Sequence, residues 1–266
     1  MNLAPPILMG IVNATPDSFS DGGRFAGQAG VEHGTRLAEE GAQVLDVGGE
    51  STRPGAAFVP VQEEIDRVLP VIEGLKVRSD ARISVDTRKP EVARAAVAAG
   101  ASIWNDVSAL TFGEDSLATA AALGMPVVLM HAQGDPATMQ QEPRYGDVVG
   151  EVLTFLRARI EAARAAGVEQ VIADPGIGFG KTLDHNLALF RSLERFQEFG
   201  VPLLMGASRK RFIASLDRDG AADERLGGSV AAVLRARAAG FGWFRVHDVA
   251  ATRQALAVWE ASNDAV

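Results

Sequence analysis

Eight short apolar segments alternate with stretches of helical periodicity, and this alternation restricts the fold more than any other feature. Because the segments are apolar on both faces, they predict a parallel sheet covered by helices. In order they are ILMGIVNAT, VLDVGGE, ISVDT, IWNDVS, PVVLMH, VIAD, PLLMGAS and WFRVHD. Eight strand and helix units predict an α/β protein with a closed (β/α)8 barrel, the TIM-barrel architecture. An open, doubly wound sheet is the alternative, but it usually carries a glycine fingerprint after its first strand, and Gly10 is isolated.

The length of 266 residues predicts a single domain spanning residues 1–266, because barrels of this type usually need about 250 residues. A hydrophobic content of 47% is enough to fill one large core, and no stretch has low complexity. We therefore expect no linker and no second domain.

Charge and composition exclude several classes of protein. The formal net charge of -8 argues against nucleic acid or an anionic membrane as the main partner. The absence of cysteine excludes disulfides, thiol catalysis and cysteine-bound zinc. The N-terminus has no basic leader, and no segment approaches about 18 continuous apolar residues. We expect a cytoplasmic protein without a membrane span.

The segment VIADPGIGFGKT, residues 171–182, looks like a nucleotide-binding loop but lacks the necessary spacing. A phosphate-binding Walker loop needs glycine where Pro175 stands, and the dinucleotide fingerprint needs glycine where Lys181 stands. What remains is Asp174 at a strand end, followed by glycines that let a ligand approach the backbone. The alternative is that Asp174 caps its own turn. Lys181 and Thr182 are expected to begin a helix rather than to contact a ligand.

Polar side chains stand at the carboxyl ends of all eight predicted strands. In a (β/α)8 barrel these ends converge on one mouth, where the active site lies. The residues are Asn13, Asp46, Glu50, Asp86, Asn105, Asp106, His131, Asp174, Ser208 to Lys210, Arg245 and His247. We expect two or three of them to be structural, above all Asp46 and Asp106, and the others to face a ligand.

Four of these residues suit the edge of a flat nitrogen heterocycle. Asp86 and Asp174 offer carboxylates, Asn105 an amide that both donates and accepts, and Lys210 an ammonium group. A buried carboxylate is tolerated only if it is paired, and the amino and imino hydrogens of such a ring can supply the pairing. The four residues therefore predict a pocket that recognises a donor-rich ring.

Two further residues form a cationic corner. Arg245 and His247 are separated by one residue in the last strand segment and so point to the same side. They suit a phosphate group; the alternative is an ion pair with a nearby acid such as Asp248. Asn13, close to an acidic loop that contains Asp21, offers an oxygen ligand of the kind that Mg2+ prefers.

Seven motifs, in this order and across almost the whole chain, carry a family resemblance. They are VNATPDSFSDGG, GGESTRPGA, SVDTRKPEVA, NDVSAL, ADPGIGFGKT, GASRKRF and RVHDV. Together they resemble the dihydropteroate synthases of the bacterial folate pathway. The resemblance implies a transferase that joins p-aminobenzoate to 6-hydroxymethyl-7,8-dihydropterin diphosphate, releasing pyrophosphate and giving 7,8-dihydropteroate.

The resemblance also implies roles for single positions. The pterin pocket falls on Asp86, Asn105, Met130, Asp174, Lys210 and Arg245. The diphosphate subsite falls on Asn13, Arg245 and His247, with Mg2+ bound by Asn13 and by the phosphates. The p-aminobenzoate subsite falls on Phe19, Ser51, Thr52, Arg53, Pro54, Lys210 and Arg211. The residues implied in catalysis are Phe19, Asp21, Asp86, Lys210 and Arg245.

Position 211 departs from some relatives, which carry serine there. Either its backbone N–H or the Arg211 guanidinium is expected to meet the benzoate carboxylate. Two loops, one after the first strand and one after the second, are expected to close over the site and exclude water. The resemblance further implies small-molecule substrates, with no nucleic acid or membrane as partner, a homodimer formed through late helices, and membership of a family that sulfonamides target.

Two other functions stay open from the sequence. A pterin-binding methyltransferase barrel would share the acids and the asparagine, but it has no use for the diphosphate corner at Arg245 and His247. A non-catalytic pterin-binding relative should lose its loop residues first, yet Phe19, Asp21 and Arg53 are all present. Both alternatives are therefore weaker than the synthase.

Overall fold

The computed structural model describes residues 4–15, 26–51, 55–134 and 138–263. These residues form eight strands: β1 (Ile7–Asn13), β2 (Val44–Gly48), β3 (Arg82–Asp86), β4 (Ile103–Asp106), β5 (Val127–Met130), β6 (Val171–Asp174), β7 (Leu204–Met205) and β8 (Trp243–Val246). The helices are α1 (Ala26–Glu39), α2 (Val61–Arg78), α3 (Pro90–Ala99), α4 (Ser116–Leu123), α5 (Val148–Ala165), α6 (Leu183–Arg191), α7 (Arg211–Leu216), α8 (Leu226–Ala238) and α9 (Val249–Asn263). Strands and helices alternate as predicted, except that two helices lie between β7 and β8.

The strands close into a barrel. Neighbouring strands pair in parallel in the order β6, β5, β4, β3, β2, β1, β8, β7. An isolated parallel bridge between Ala173 of β6 and Leu203, just before β7, joins the two ends of this order. The Ala173 N–H donates to the Pro202 carbonyl at 2.9 Å. The predicted (β/α)8 barrel is confirmed, and the open sheet is excluded.

Two apolar layers hold the barrel together. The larger layer lies between the strands and the surrounding helices, and it contains the big buried side chains Trp104, Phe196, Phe241 and Phe244. The smaller layer fills the inside of the barrel with one side chain from each of seven strands. Its members are Met9, Val44, Ile103, Val128, Ile172, Leu204 and Trp243. The interior is thus packed below the mouth, and a ligand can enter only from the carboxyl ends of the strands.

The connection between β7 and β8 differs from the prediction. The sequence predicts one helix there, from about Glu224 to Ala239, whereas the structure has α7, a 3-10 segment (Ala222–Arg225) and α8. Helix α7 has only six residues, too few for a helical period to show in the sequence. It begins directly after Lys210, so the strand-end lysine lies at its N-cap. Among the described helices, none is long and apolar enough to cross a membrane.

Candidate active site at the carboxyl ends of the strands

The candidate site lies one layer above the packed interior. Side chains of a strand alternate between its two faces, so a residue two positions after an interior residue points to the same side. Four polar residues stand in that position: Asp46 after Val44, Asn105 after Ile103, Asp174 after Ile172, and Arg245 after Trp243. Because side chains alternate along each strand and all the strands end at the same mouth, side chains from distant parts of the chain come together there.

Arg245 is the centre of this layer. Its Nε donates to Asp46 Oδ2 at 2.6 Å, and a terminal nitrogen donates to Asp86 Oδ2 at 2.7 Å. The Asn105 amide also donates to Asp46 Oδ2, at 3.0 Å. The alternative that Arg245 pairs with Asp248 is wrong, because Asp248 lies in an ion pair with Arg209. Arg245 is therefore not a free cation, since two interior carboxylates already hold it.

The two acids expected to be structural do hold other residues in place. Asp46 is completely buried, and among the described residues no donor reaches its Oδ1. Asp106 accepts from the backbone N–H groups of Ser108 and Leu110 at 2.7 and 2.8 Å and thereby fixes the loop after β4. Burial raises the pKa of Asp106 to about 6, while these hydrogen bonds oppose the shift.

The acidic and basic sides of the pocket face each other across Gly206. A Cβ atom built on Gly206 would lie 3.4 Å from Asp174 Oδ2 and 4.0 Å from Arg245 Cβ. Burial raises the pKa of Asp86 to about 7, against the opposing charge of Arg245. Burial also raises the pKa of Asp174, against Lys210. A glycine at position 206 leaves the space between these side chains open.

Lys210 reaches into the same pocket from the turn after β7. Its Nζ donates to the Ile177 carbonyl and lies 4.2 Å from the centre of the Phe179 ring. Burial lowers the pKa of Lys210 to about 7, and Asp174 opposes this shift. Sequence reasoning missed Ile177 and Phe179, although the glycine-rich loop that carries them stood out.

That glycine-rich loop needs its glycines. Gly176, Gly178 and Gly180 have φ values of +67°, +83° and +59°, in the left-handed region where side chains are strained. A Cβ atom at Gly176 would lie 1.9 Å from the His131 carbonyl oxygen. The Asp174 side chain accepts from the Gly176 N–H at 2.7 Å, so it caps this turn and lines the pocket at once.

Lys181 does not begin a helix, and that expectation was wrong. It is buried, and its Nζ contacts His131 Nδ1 at 2.9 Å and donates to the carbonyls of Gly176 and Phe179 at 2.9 and 3.1 Å. Thr182 is the N-cap of α6, as expected, and accepts from the His185 N–H at 3.2 Å. Lys181 thus ties the glycine-rich loop to the end of β5.

The remaining predicted residues lie around the rim. His247 follows β8, and its Nδ1 is 3.0 Å from the Ser208 hydroxyl. Asn13 ends β1 beside Gly48 and is half-buried. Met130 ends β5 next to Asp174 and is buried. Ser51 is half-buried and Arg211 is exposed. The others, Phe19, Asp21, Thr52, Arg53 and Pro54, lie outside the described residues.

Comparison with known proteins gives consistent matches over the whole chain. The model of the family described as pterin binding enzyme matches residues 9–247. The dihydropteroate synthase of Escherichia coli K12 is 47% identical over 268 aligned positions, which cover 100% of this chain and 94% of that protein. The corresponding enzyme of Synechocystis is 46% identical and covers 96% of this chain and 89% of its own length.

Solved structures agree with these matches. The Xanthomonas albilineans dihydropteroate synthase with 4-aminobenzoic acid superimposes with a TM-score of 0.93 at 53% identity, covering 98% of this chain and 94% of that one. The complex of the Xanthomonas albilineans enzyme with 7,8-dihydropteroate gives a TM-score of 0.90 at 50% identity, covering 100% and 97%.

Proposed function

The chain belongs to the dihydropteroate synthase family of pterin binding enzymes, and we propose that its barrel mouth joins p-aminobenzoate to 6-hydroxymethyl-7,8-dihydropterin diphosphate. The observation that carries the proposal is that Asp174 and Arg245 both lie beside Gly206 at the same mouth, with Asp86 bound to Arg245. This arrangement offers acceptors for the amino and ring N–H groups of a pterin beside a planar cation. The products are 7,8-dihydropteroate and pyrophosphate.

The pterin is recognised by groups whose hydrogen-bonding roles are already set. Asn105 donates its amide N–H to Asp46, which leaves its Oδ1 to accept a hydrogen bond from the ring. Asp174 uses Oδ1 to accept from Gly176, and its Oδ2 faces the space beside Gly206. A dihydropterin that donates to these oxygens satisfies buried acceptors, and this makes binding specific for a donor-rich ring.

The reaction needs little acid or base catalysis, because diphosphate is a good leaving group once its charge is neutralised. The bond between the methylene carbon and the diphosphate oxygen breaks, and positive charge spreads into the electron-rich dihydropterin. The p-aminobenzoate nitrogen supplies the electron pair for the new C–N bond and then loses one proton to solvent. Lys210 and Arg211 flank the p-aminobenzoate subsite in this proposal, with Ser51 on the opposite loop.

The test is steady-state release of pyrophosphate with both substrates present, together with mass detection of dihydropteroate. Release that depends on p-aminobenzoate supports the synthase. Pterin binding without release would favour a non-catalytic pterin-binding protein. Methyl transfer from a methylated folate to a corrinoid protein would favour the methyltransferase. The small-molecule partners, inhibition by sulfonamides that compete with p-aminobenzoate, and a cytoplasmic location stay predictions.

The diphosphate group needs a cation that the protein does not supply in excess. Asp46 and Asp86 already hold Arg245, and the charge of Lys210 acts on Asp174. The described residues contain no group of three His, Asp or Glu side chains that could hold a metal ion. We propose that Mg2+ is held by Asn13 and by the diphosphate oxygens, which fits its preference for oxygen ligands. Bound Mg2+ would supply charge neutralisation for the leaving group.

Replacing Asn13 by alanine should weaken pyrophosphate binding in the presence of Mg2+ by about tenfold, or about 1.4 kcal/mol. Isothermal titration of pyrophosphate, with MgCl2 and with EDTA, measures this effect. The control is Asn263→Ala, at the exposed end of α9. Equal affinity of the unmodified protein in MgCl2 and in EDTA would contradict the Mg2+ proposal.

An apolar groove on the barrel wall supports a homodimer. It lies between α6, α7 and α8, has a volume of about 890 Å3, and is lined by Phe190, Phe212, Leu216 and Ala231 among others. The Phe190 and Phe212 rings lie 5.3 Å apart, and Leu216 is 56% exposed. Exposed apolar patches of this kind mark protein interfaces. We propose that two copies of the chain meet through these helices.

The substitution Leu216→Glu should convert the dimer into a monomer, because each copy would bring an unpaired charge into an apolar contact. Size-exclusion chromatography with light scattering should then give the mass of one chain, 28.0 kDa. The control is Val77→Glu on α2, where the side chain is 86% exposed and lies outside the groove. A dimer that persists in the Leu216→Glu variant would remove this surface from the proposal.

A further inference from the structure

The turn between β7 and α7 contains a strained residue next to the pocket lysine. Arg209 has a φ of +58°, in the left-handed region that residues with a side chain rarely occupy. Lys210 follows it directly, and Ser208, the partner of His247, precedes it. Strain of this kind persists only where surrounding contacts hold the backbone, and it is found mainly at functional sites.

We propose that the ion pair between Arg209 and Asp248 is a positioning device, which holds this turn in the left-handed conformation and so aims Lys210 and Ser208 at the ligand. The inference rests on the proposed function, because it assigns a role within the same pocket. Arg209 is a positioning residue in this proposal, since its guanidinium is bound to Asp248 and it acts through its neighbours Ser208 and Lys210.

Contacts from three directions fix Arg209. Its backbone N–H donates to the Ser229 hydroxyl at 2.9 Å, and its carbonyl accepts from Arg225 at 3.0 Å. Its guanidinium donates to both oxygens of Asp248, at 2.9 and 2.5 Å. A two-pronged contact between arginine and a carboxylate fixes direction as well as distance. Backbone and side chain are therefore both held.

The ion pair also joins the two loops that form the basic side of the mouth. Asp248 follows His247 directly, and His247 contacts Ser208 through both its backbone N–H and its Nδ1, at 3.2 and 3.0 Å. Lys210 extends from the other side of Arg209 to the Ile177 carbonyl. The ion pair is thus one of the contacts between the loop after β7 and the loop after β8, and the Ser208–His247 contact remains when the ion pair is removed.

The simpler alternative is that the ion pair between Arg209 and Asp248 only stabilises the fold. The two side chains are 30% and 21% exposed, and partly exposed pairs generally add little to stability. Glycine would satisfy a left-handed turn without any ion pair. The combination of a strained arginine, a two-pronged partner and two backbone anchors is therefore better explained by the need to place the neighbouring residues precisely.

Glycine rescue separates the possibilities. Asp248→Ala and Arg209→Ala remove the ion pair but leave a side chain in the strained position. Each should raise KM for the pterin diphosphate about tenfold, with kcat changed less than threefold. Arg209→Gly also removes the ion pair, but glycine takes the left-handed conformation without strain, so its KM should stay within about threefold of the unmodified protein. The control is Arg157→Ala, which removes an exposed ion pair with Glu198.

Three results would overturn the inference. If KM for the pterin diphosphate rises as much in Arg209→Gly as in Arg209→Ala, the guanidinium acts in some way other than holding the turn. If Asp248→Ala keeps its KM, the ion pair has no part in the site. If Asp248→Ala loses thermal stability and kcat with no change in KM, the role is structural. Calorimetric affinity for the pterin diphosphate reports on the same variants without turnover, so failure of the inference is distinguishable from failure of the proposed reaction.

Discussion

Replacing Lys210 by alanine should lower the rate of pyrophosphate release by about 100-fold to 1,000-fold, the usual loss when one preorganised donor is removed from an active site. Lys210 donates into the loop that contains Ile177, and its charge acts on the buried carboxyl group of Asp174. Without the ammonium group, that carboxylate loses its cation and the ring loses a donor. A coupled assay for pyrophosphate, with both substrates saturating, measures the loss.

A matched control for this variant is Lys76→Ala, which removes an exposed lysine near the end of α2. It should keep at least about half of the activity, since surface substitutions away from special features change stability by at most about 0.5 kcal/mol. A Lys210→Ala variant that retains more than one tenth of the activity would place the functional cation elsewhere.

The pH dependence gives a second measure of the same group. Because burial lowers the pKa of Lys210 to about 7, the ammonium form is present below this pH and is lost as the pH rises through it. The value of kcat/KM for the pterin diphosphate, which reports on the free enzyme, should therefore fall above about pH 7. In Lys210→Ala this falling limb should be absent from the residual activity.

Much of the arrangement of this site could be predicted from the alternation of side chains along the strands. Asp46, Asn105, Asp174 and Arg245 each stand two residues after an apolar interior residue. The alternation of side chains in a strand and the common mouth of a barrel therefore predict their convergence without coordinates. The expectation that Asp46 is structural had a physical basis as well, because a carboxylate so deep in the barrel must have a protein partner.

The specific partners could not be predicted in the same way. Arg245 and Asp46 are 199 positions apart in the chain, and nothing local in WFRVHD indicates which acid the arginine contacts. Asp248 is close to Arg245 in the sequence, yet it forms an ion pair with Arg209, which lies in the loop after β7. Pairings of this kind depend on the tilt and register of the closed barrel, which the sequence pattern leaves undetermined.

Lys181 illustrates a second limit. A lysine after a glycine loop and before a threonine N-cap is usually solvated, because burial of an ammonium group is unfavourable. Here two carbonyl groups of the glycine-rich loop, those of Gly176 and Phe179, surround the Lys181 Nζ together with the carbonyl and Nδ1 of His131. The φ values of the loop determine this arrangement. A glycine permits such values, but its presence in the sequence does not show which value it adopts.

Replacing Arg245 by methionine should have the largest combined effect on stability and activity. Asp46 and Asp86 would lose their shared cation while staying buried, and breaking a buried ion pair from one side costs roughly 3 to 5 kcal/mol. Pyrophosphate release should also fall by about 1,000-fold, because the pocket would lose a cation beside the leaving group. Urea unfolding followed by circular dichroism measures the stability, and the coupled assay measures the activity.

A second substitution separates the two losses. Asp46→Asn in the Arg245→Met background removes one of the uncompensated charges at nearly constant shape, so it should restore a substantial part of the lost free energy of unfolding while leaving activity low. The single variant should also become more stable relative to the unmodified protein as the pH falls from about 8 to about 5. Burial already raises the pKa of Asp86 to about 7 against the charge of Arg245, so this pKa should rise further without Arg245, and protonation of Asp86 then stabilises the folded state. Arg94→Ala, which removes an exposed pair with Asp115, serves as the control. An Arg245→Met protein as stable as the unmodified chain would mean that Asp46 and Asp86 need no cation to stay buried.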